Sequence, residues 1–260
     1  VNAAKAMRSA ACVIALAALV ACRSSSPERS SETSDVNPNN PLGATLLMEQ
    51  GLALVGQNKI ADGLKKYDQA LALQPKNPVV HNLIGVAELR AGETAKALDE
   101  FNRALALAPT YSDARNNRGT TYVRLGQYAM AETDFFTVLG DLTYANRAGV
   151  YFNLGSLYFG LGNLAAAEEN LRRAAVPSGP VDAYFMLGQV EEKLAKPALA
   201  ESAYRDAFSR APERADIALA LARLLESQGR SDEAREVYRK IIELAPNSPE
   251  AAEVRNKLGR

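Results

Sequence analysis

Residues 78–111 read PVVHNLIGVAELRAGETAKALDEFNRALALAPTY. Leu83, Ile84, Ala87 and Leu89 place an apolar stripe along a first helix. Ala91-Gly92-Glu93 interrupts it, and glycine suits the positive φ of a helix end. Ala97, Leu98, Phe101, Ala104, Leu105 and Leu107 then recur at i, i+3, i+4 spacing, which predicts a second helix. Pro109 ends that helix. Gly85 and Ala97 are small enough to let the two helices approach closely, and Phe101 is expected to fill the space against a neighbouring pair.

The same unit recurs along the chain. Gly51, Gly85, Gly119, Gly155, Gly188 and Ala222 are separated by 34, 34, 36, 33 and 34 residues. Gly63, Ala97, Ala131, Ala167, Ala200 and Ala234 keep those intervals, as do Tyr67, Phe101, Phe135, Leu171, Tyr204 and Tyr238. A fourth column, Ala70, Ala104, Val138, Ala174, Ala207 and Ile241, keeps them too. Shared intervals across four columns define an internal repeat of 34 residues. Six repeats follow, at 44–77, 78–111, 112–147, 148–180, 181–214 and 215–248, with residues 249–260 as a polar capping helix. The junction Gly140-Asp141-Leu142-Thr143-Tyr144 is two residues longer than the others and lacks the closing proline. A local irregularity is expected there.

Composition agrees with an all-α chain and narrows the chemistry. The 260 residues carry 30 basic and 30 acidic side chains, one histidine, two cysteines, no tryptophan and 7% aromatics. Zero net charge gives no whole-chain field for nucleic acid. One histidine and two cysteines cannot furnish several metal-ligand sets, so no metal centre is expected. No glycine-rich phosphate loop precedes a helix. His81 reads as a core or interface residue rather than a catalyst. Glu168-Glu169 with Arg172-Arg173 reads as a solvated, salt-bridged face. No catalytic residue is singled out, and the expected class is not an enzyme.

The N-terminus differs from the rest. In VNAAKAMRSAACVIALAALVAC, residues 1–22, Lys5 and Arg8 precede a twelve-residue apolar run from Ala10 to Ala21. That run would rise only about 18 Å as a helix, against a hydrocarbon core of roughly 30 Å. Basic and then short apolar regions form the pattern of a secretory signal, with Met7 as a candidate start. Leu19-Val20-Ala21-Cys22 resembles the lipobox of bacterial lipoproteins, where the cysteine is lipidated and becomes the new N-terminus. The other reading is an ordinary secretory signal ending in cysteine. Residues 1–21 are thus expected to leave, with a lipid on Cys22 as the sole attached group and no cofactor. Residues 23–41 hold six Ser, three Pro, three Asn and one aliphatic residue, Val36. Such a segment cannot bury enough apolar area to order itself, so 22–43 is expected to be a disordered tether.

The repeats resemble the tetratricopeptide repeat, whose pattern places Leu-Gly, Ala, Phe, Ala and Pro at these offsets. Asn153-Leu154-Gly155 with Tyr158, and Met186-Leu187-Gly188, carry the match, as do Pro75, Pro109, Pro212 and Pro246. Tryptophan never fills its usual place. The resemblance implies an all-α, right-handed superhelical solenoid of six helix pairs, with first helices facing a peptide-binding groove. Transferring the family's groove positions selects Met48, Leu52, Val55, Val86, Leu89, Asn116, Phe152 and Phe159. They either bind a partner or, at Met48, Leu52 and Val55, are covered by the tether or a neighbouring helix. Asn82 and Asp113 fall at the same offsets. A more polar C-terminal half follows, with Asp182, Gln189, Glu192, Lys193, Asp216, Arg223 and Glu226. The Lys/Asn clamp of chaperone-binding arrays is absent, since Met48 and Leu52 occupy its first-repeat slots.

Lipobox, tether and six repeats together resemble the type IV pilus pilotins, the PilF/PilW/Tgl group of outer-membrane lipoproteins. Tyr144, Arg147, Val150 and Asn153-Leu154-Gly155 match a Tyr-x-x-Arg-x-x-Val-x-x-Asn-Leu-Gly run associated with that group. The resemblance implies a protein, lipid-anchored in the outer membrane and facing the periplasm, that binds secretin subunits and promotes their assembly for pilus extension and twitching or social motility. It implies no nucleic-acid partner and no small-molecule substrate. Arg23, where inner-membrane retention would place Asp, agrees with the outer membrane. Two rivals are an NlpI-like adaptor recruiting periplasmic envelope enzymes and a β-barrel assembly subunit, the latter usually built of five repeats.

Overall fold

The structure, a computed structural model, describes residues 41–258. The expected signal 1–21, Cys22 and nearly all of the tether lie outside these residues. Thirteen helices and no strand occur among the described residues, so the all-α expectation holds. No helix among them is long and apolar enough to cross a membrane. The chain divides into two compact units between Tyr144 and Ala145. That division falls at the end of the long junction flagged in the sequence.

In the first unit, α1 (Pro41–Gly56) packs on α2 (Ile60–Leu73), α3 (Pro78–Ala91) on α4 (Thr94–Leu107), and α5 (Ser112–Arg124) on α6 (Tyr128–Gly140). Each second helix packs on the first helix of the next pair, and the first helices touch one another. In the second unit, α7 (Arg147–Gly160) pairs with α8 (Leu164–Ala174), α9 (Val181–Lys193) with α10 (Pro197–Arg210), and α11 (Ala215–Ser227) with α12 (Ser231–Leu244). There α13 (Pro249–Leu258) closes on α11 and α12 through the buried Ala251 and Val254.

The repeating columns are the seams of these pairs. Phe101 and Phe135 are fully buried, as is Leu171, while Tyr67, Tyr204 and Tyr238 are nearly so. A Cβ added to Gly85 would meet three ring atoms of Phe101 at 2.6–2.9 Å, and Gly119 faces Phe135 in the same way. Phe101 therefore fills the space within its own helix pair, against the glycine it faces, and not the space against a neighbouring pair as its spacing suggested. Only hydrogen at residue 85 leaves room for the ring.

Turn chemistry repeats as well. One residue per hairpin adopts positive φ: Asn58 (63°), Gly92 (87°), Gly126 (74°), Gly162 (78°), Ala195 (56°) and Gly229 (76°). Four are glycine and one is asparagine, which tolerate this region; Ala195 does so under strain. At the start of α3, Asn77 accepts from the Val79 amide at 2.9 Å, and Pro78 occupies the first turn. In the long junction Asp141 accepts from the Thr143 amide at 3.0 Å, its hydroxyl at 2.6 Å and Ser112 at 2.8 Å. The Thr143 and Ser112 donors hold its carboxyl below the usual range.

Candidate protein-interaction faces

In the first unit, Met48 and Leu52 on α1, Val86 on α3 and Asn116 on α5 are half-buried, as an interaction face requires. Val55 and Leu89 are not available to a partner: each is only 4% exposed. Val55 packs with Tyr67, Ala70, Val80, Ile84 and Ala87, and Leu89 with Ala97 and Phe101. Their position, late in the first helix, points the side chain at the small residue opening the second helix. What they offer instead is backbone. Arg90 donates to the Val55 carbonyl and Arg124 to the Leu89 carbonyl, each at 3.1 Å. Both arginines tie each repeat to the one before.

Asn82 is also withdrawn from the face. It is buried, donates to the Tyr111 hydroxyl at 3.3 Å and accepts from Asn117 at 2.9 Å. Burial, with Asp113 nearby, pushes the Tyr111 phenol up to about 12. Asp113 accepts from Tyr144 at 2.8 Å. Arg118 grips Asp134 with two bonds of 2.8 Å while also reaching Asn102 at 3.0 Å. This pair floors a shallow cleft of about 340 Å³ with Tyr122, Ala129, Met130 and Thr133. Its charged groups are committed to each other. His81 is buried with Nδ1 2.7 Å from Glu100, in the core role its position suggested.

In the second unit, Phe152 and Phe159 on α7 are half-buried and pack on Leu171, Leu187 and Val190. Ser156 between them donates to the Phe152 carbonyl at 2.8 Å and lies 3.4 Å from Met186 sulfur. The Lys193 ammonium sits 5.8 Å from the Phe159 ring centre. Phe185 on α9 joins these half-buried aromatics, its ring 5.9 Å from Tyr204 and 5.8 Å from the Arg214 guanidinium. It was missed although it occupies the same repeat position as Phe152, which was the available signal.

The polar positions of this unit are largely consumed internally. Arg214 binds Asp216 at 2.8 and 2.6 Å and Asp182 at 2.9 Å. The guanidinium holds the Asp216 carboxyl below its usual range. Arg223 pairs with Glu253, Glu226 with Lys257, and Glu192 accepts from Tyr204, with shortest contacts of 2.8, 2.7 and 2.8 Å. Asp182, Arg223 and Glu226 are thus struts between successive repeats, and Glu192 is held within its own helix pair. Glu168 also departs from its reading. While Glu169–Arg173 is an exposed pair, Glu168 is buried, bound by Arg172 and by Lys196 at 2.8 Å. Beside it Glu191 is 2% exposed, takes one bond of 3.2 Å from Arg172, and its Oε2 has no partner. Among the described residues no cluster of metal-ligating side chains occurs.

A family profile described as the tetratricopeptide repeat matches residues 48–112 and 185–249, half of the chain. The chain belongs to the tetratricopeptide-repeat family. Two further profiles of that description match 100–133 and 148–175. A comparison with curated protein sequences returns no significant match. Among solved structures, PilW, described as a widely conserved type IV pilus biogenesis factor, aligns with a TM-score of 0.72 at 21% identity, covering 83% of this chain and 99% of its own. PilF of Pseudomonas aeruginosa aligns with a TM-score of 0.70 at 19% identity, covering 83% and 98%. Cut9–Hcn1, an APC/C hetero-tetramer, gives 0.66 at 16%, covering 82% of this chain but 42% of that one. At such identities the likeness is one of fold. Tetratricopeptide arrays are protein-interaction scaffolds, whose stacked repeats present extended surfaces to a partner.

Proposed function

We propose that this chain is a lipid-anchored scaffold of the outer membrane, a pilotin that binds secretin subunits and promotes their assembly for type IV pilus biogenesis. The observation that carries the proposal is the correspondence with PilW over 99% of that chain, a protein described as a pilus biogenesis factor. Leu19-Val20-Ala21-Cys22 supports it by supplying a lipidation signal ahead of the repeats.

The mechanism is physical rather than chemical. Lipid on Cys22 holds the protein at the bilayer, at about 0.8 kcal/mol per buried CH₂. The half-buried faces, Met48–Leu52–Val86 and Phe152–Phe159–Phe185, take up an apolar segment of the secretin subunit. A subunit so held is confined near the membrane, which raises its effective concentration for ring formation.

The test is to delete the gene and blot membranes for heat- and detergent-resistant secretin multimers. Monomers are expected to replace multimers, with rescue by the intact gene but not by Cys22→Ala. Unchanged multimers would overturn the proposal.

A further inference from the structure

The first helix is built unlike the last. Terminal repeats of a solenoid ordinarily present a polar outer face. In the second unit α13 does so, with Arg255, Asn256 and Lys257 exposed. In the first unit α1, PLGATLLMEQGLALVG, is apolar around most of its circumference, with Glu49 its sole charge, one turn beyond Leu46 on the same exposed side. A helix so apolar is normally buried over most of its surface. One side of α1 is, through Ala44, Gly51 and Val55. On the opposite side Leu42 and Leu46 stand one turn apart, 80% and 55% exposed. Among the described residues they are the only two exposed large apolar side chains spaced by a single turn.

Position along the chain selects what covers them. Eighteen residues, 23–40, separate Cys22 from Pro41. As the tether that its composition predicts, this length of chain spans about 21–25 Å. With Cys22 lipidated, the first turn of α1 is therefore kept beside the bilayer at high effective concentration. Nothing charged lies in that turn to oppose contact with the acyl boundary. Resting on the reading of Cys22 as the lipid site, we infer that the Leu42–Leu46 face of α1 lies on the lipid surface as a second membrane contact. At about 100° per residue, this face is roughly 120° around α1 from Met48 and Leu52. Those two residues stay open to a partner while the helix rests on lipid.

The absence of tryptophan gives a clean probe. Leu46→Trp, Leu42→Trp, Leu107→Trp and Leu199→Trp are each made in the full chain, purified with its lipid, and reconstituted into phosphatidylethanolamine–phosphatidylglycerol vesicles with brominated acyl chains. The first two are expected to lose intensity and shift to the blue, while the last two, at leucines 40% and 46% exposed, keep their emission. Flotation with the vesicles but no selective quenching at residues 42 and 46 would overturn the face contact and leave the lipid anchor standing. Failure to float would overturn the anchor and this inference with it. A blue shift already present without vesicles also overturns it: dependence on protein concentration means a second copy covers the face, and independence means the chain's own N-terminal segment does.

Discussion

Gly85→Ala tests the seam on which every repeat depends. Two opposing terms set its size. Alanine is the better helix former, by about 0.8–1.0 kcal/mol in a helix interior. Against this, the new methyl would sit 2.6, 2.8 and 2.9 Å from three ring atoms of Phe101, well inside the roughly 3.5–4.0 Å optimum for carbon. The ring has no accessible surface and cannot swing into solvent. Overpacking of this kind costs about 1–3 kcal/mol. The net expectation is a loss of up to about 2 kcal/mol.

The comparison that isolates the packing term is Gly56→Ala, at the end of α1, where an added Cβ meets nothing within 4 Å. There the propensity term stands alone and stabilises by up to about 1 kcal/mol. The two substitutions are chemically identical, so their difference reports the overpacking itself, about 1–3 kcal/mol. Urea unfolding followed by circular dichroism at 222 nm measures both. Trimming the ring, in Gly85→Ala with Phe101→Leu, should recover part of the loss. If Gly85→Ala stabilises as much as Gly56→Ala, the glycine–aromatic seam does not set the helix spacing.

Three further predictions address strain, charge and the interaction faces. Ala195→Gly relieves a left-handed alanine and should raise stability by up to about 1 kcal/mol in the same assay; a loss would mean that the turn is not strained. Burial, reinforced by Glu168 and opposed by Arg172, holds Glu191 above the ordinary glutamate range. The folded chain therefore keeps a proton that the unfolded chain releases, so this contribution is full below the unfolded value and is lost as pH rises through the folded one. Glu191→Gln should flatten that decline and gain on wild type as pH rises past the unfolded glutamate value, by about 1–3 kcal/mol for an unmet acceptor; parallel stability curves would refute it. Leu52→Glu and Phe159→Glu should weaken secretin capture at least tenfold, about 1.4 kcal/mol, with little change in melting temperature; unchanged capture by both variants would show that these faces are not the binding surfaces.

The fold was legible because its constraints are local and recur. A small residue must oppose each large side chain, glycine in five repeats and Ala222 in the sixth, and that demand prints nearly the same letters at the same interval, as in Gly85–Phe101 and Gly119–Phe135. Where chemistry allowed substitutes, the signal thinned. Asn58 and Ala195 meet the same positive-φ demand as Gly92, yet neither looks like a turn glycine. Phe101 was placed correctly in the core but against the wrong partner, because periodicity tells which face of a helix is apolar and not which helix covers it.

The site was harder to read for a reason that the ion pairs make explicit. Asp182–Arg214, Arg223–Glu253 and Glu226–Lys257 lie 32, 30 and 31 residues apart. Side chains about one repeat apart in sequence stand side by side in space, so an apparently free charge on one first helix is answered from the next. A groove read one repeat at a time counts such charges as available to a ligand. Matching each charge with an opposite charge 30–32 residues later would have removed Asp182, Arg223 and Glu226 from the candidate set. It would have kept Phe152 and Phe159, which fill no such strut, while Phe185 had to be found from the repeat position it shares with Phe152. What survives that pairing is uncharged and mainly aliphatic in the first unit and aromatic in the second, so the partner these faces suit is recognised through buried surface rather than through charge.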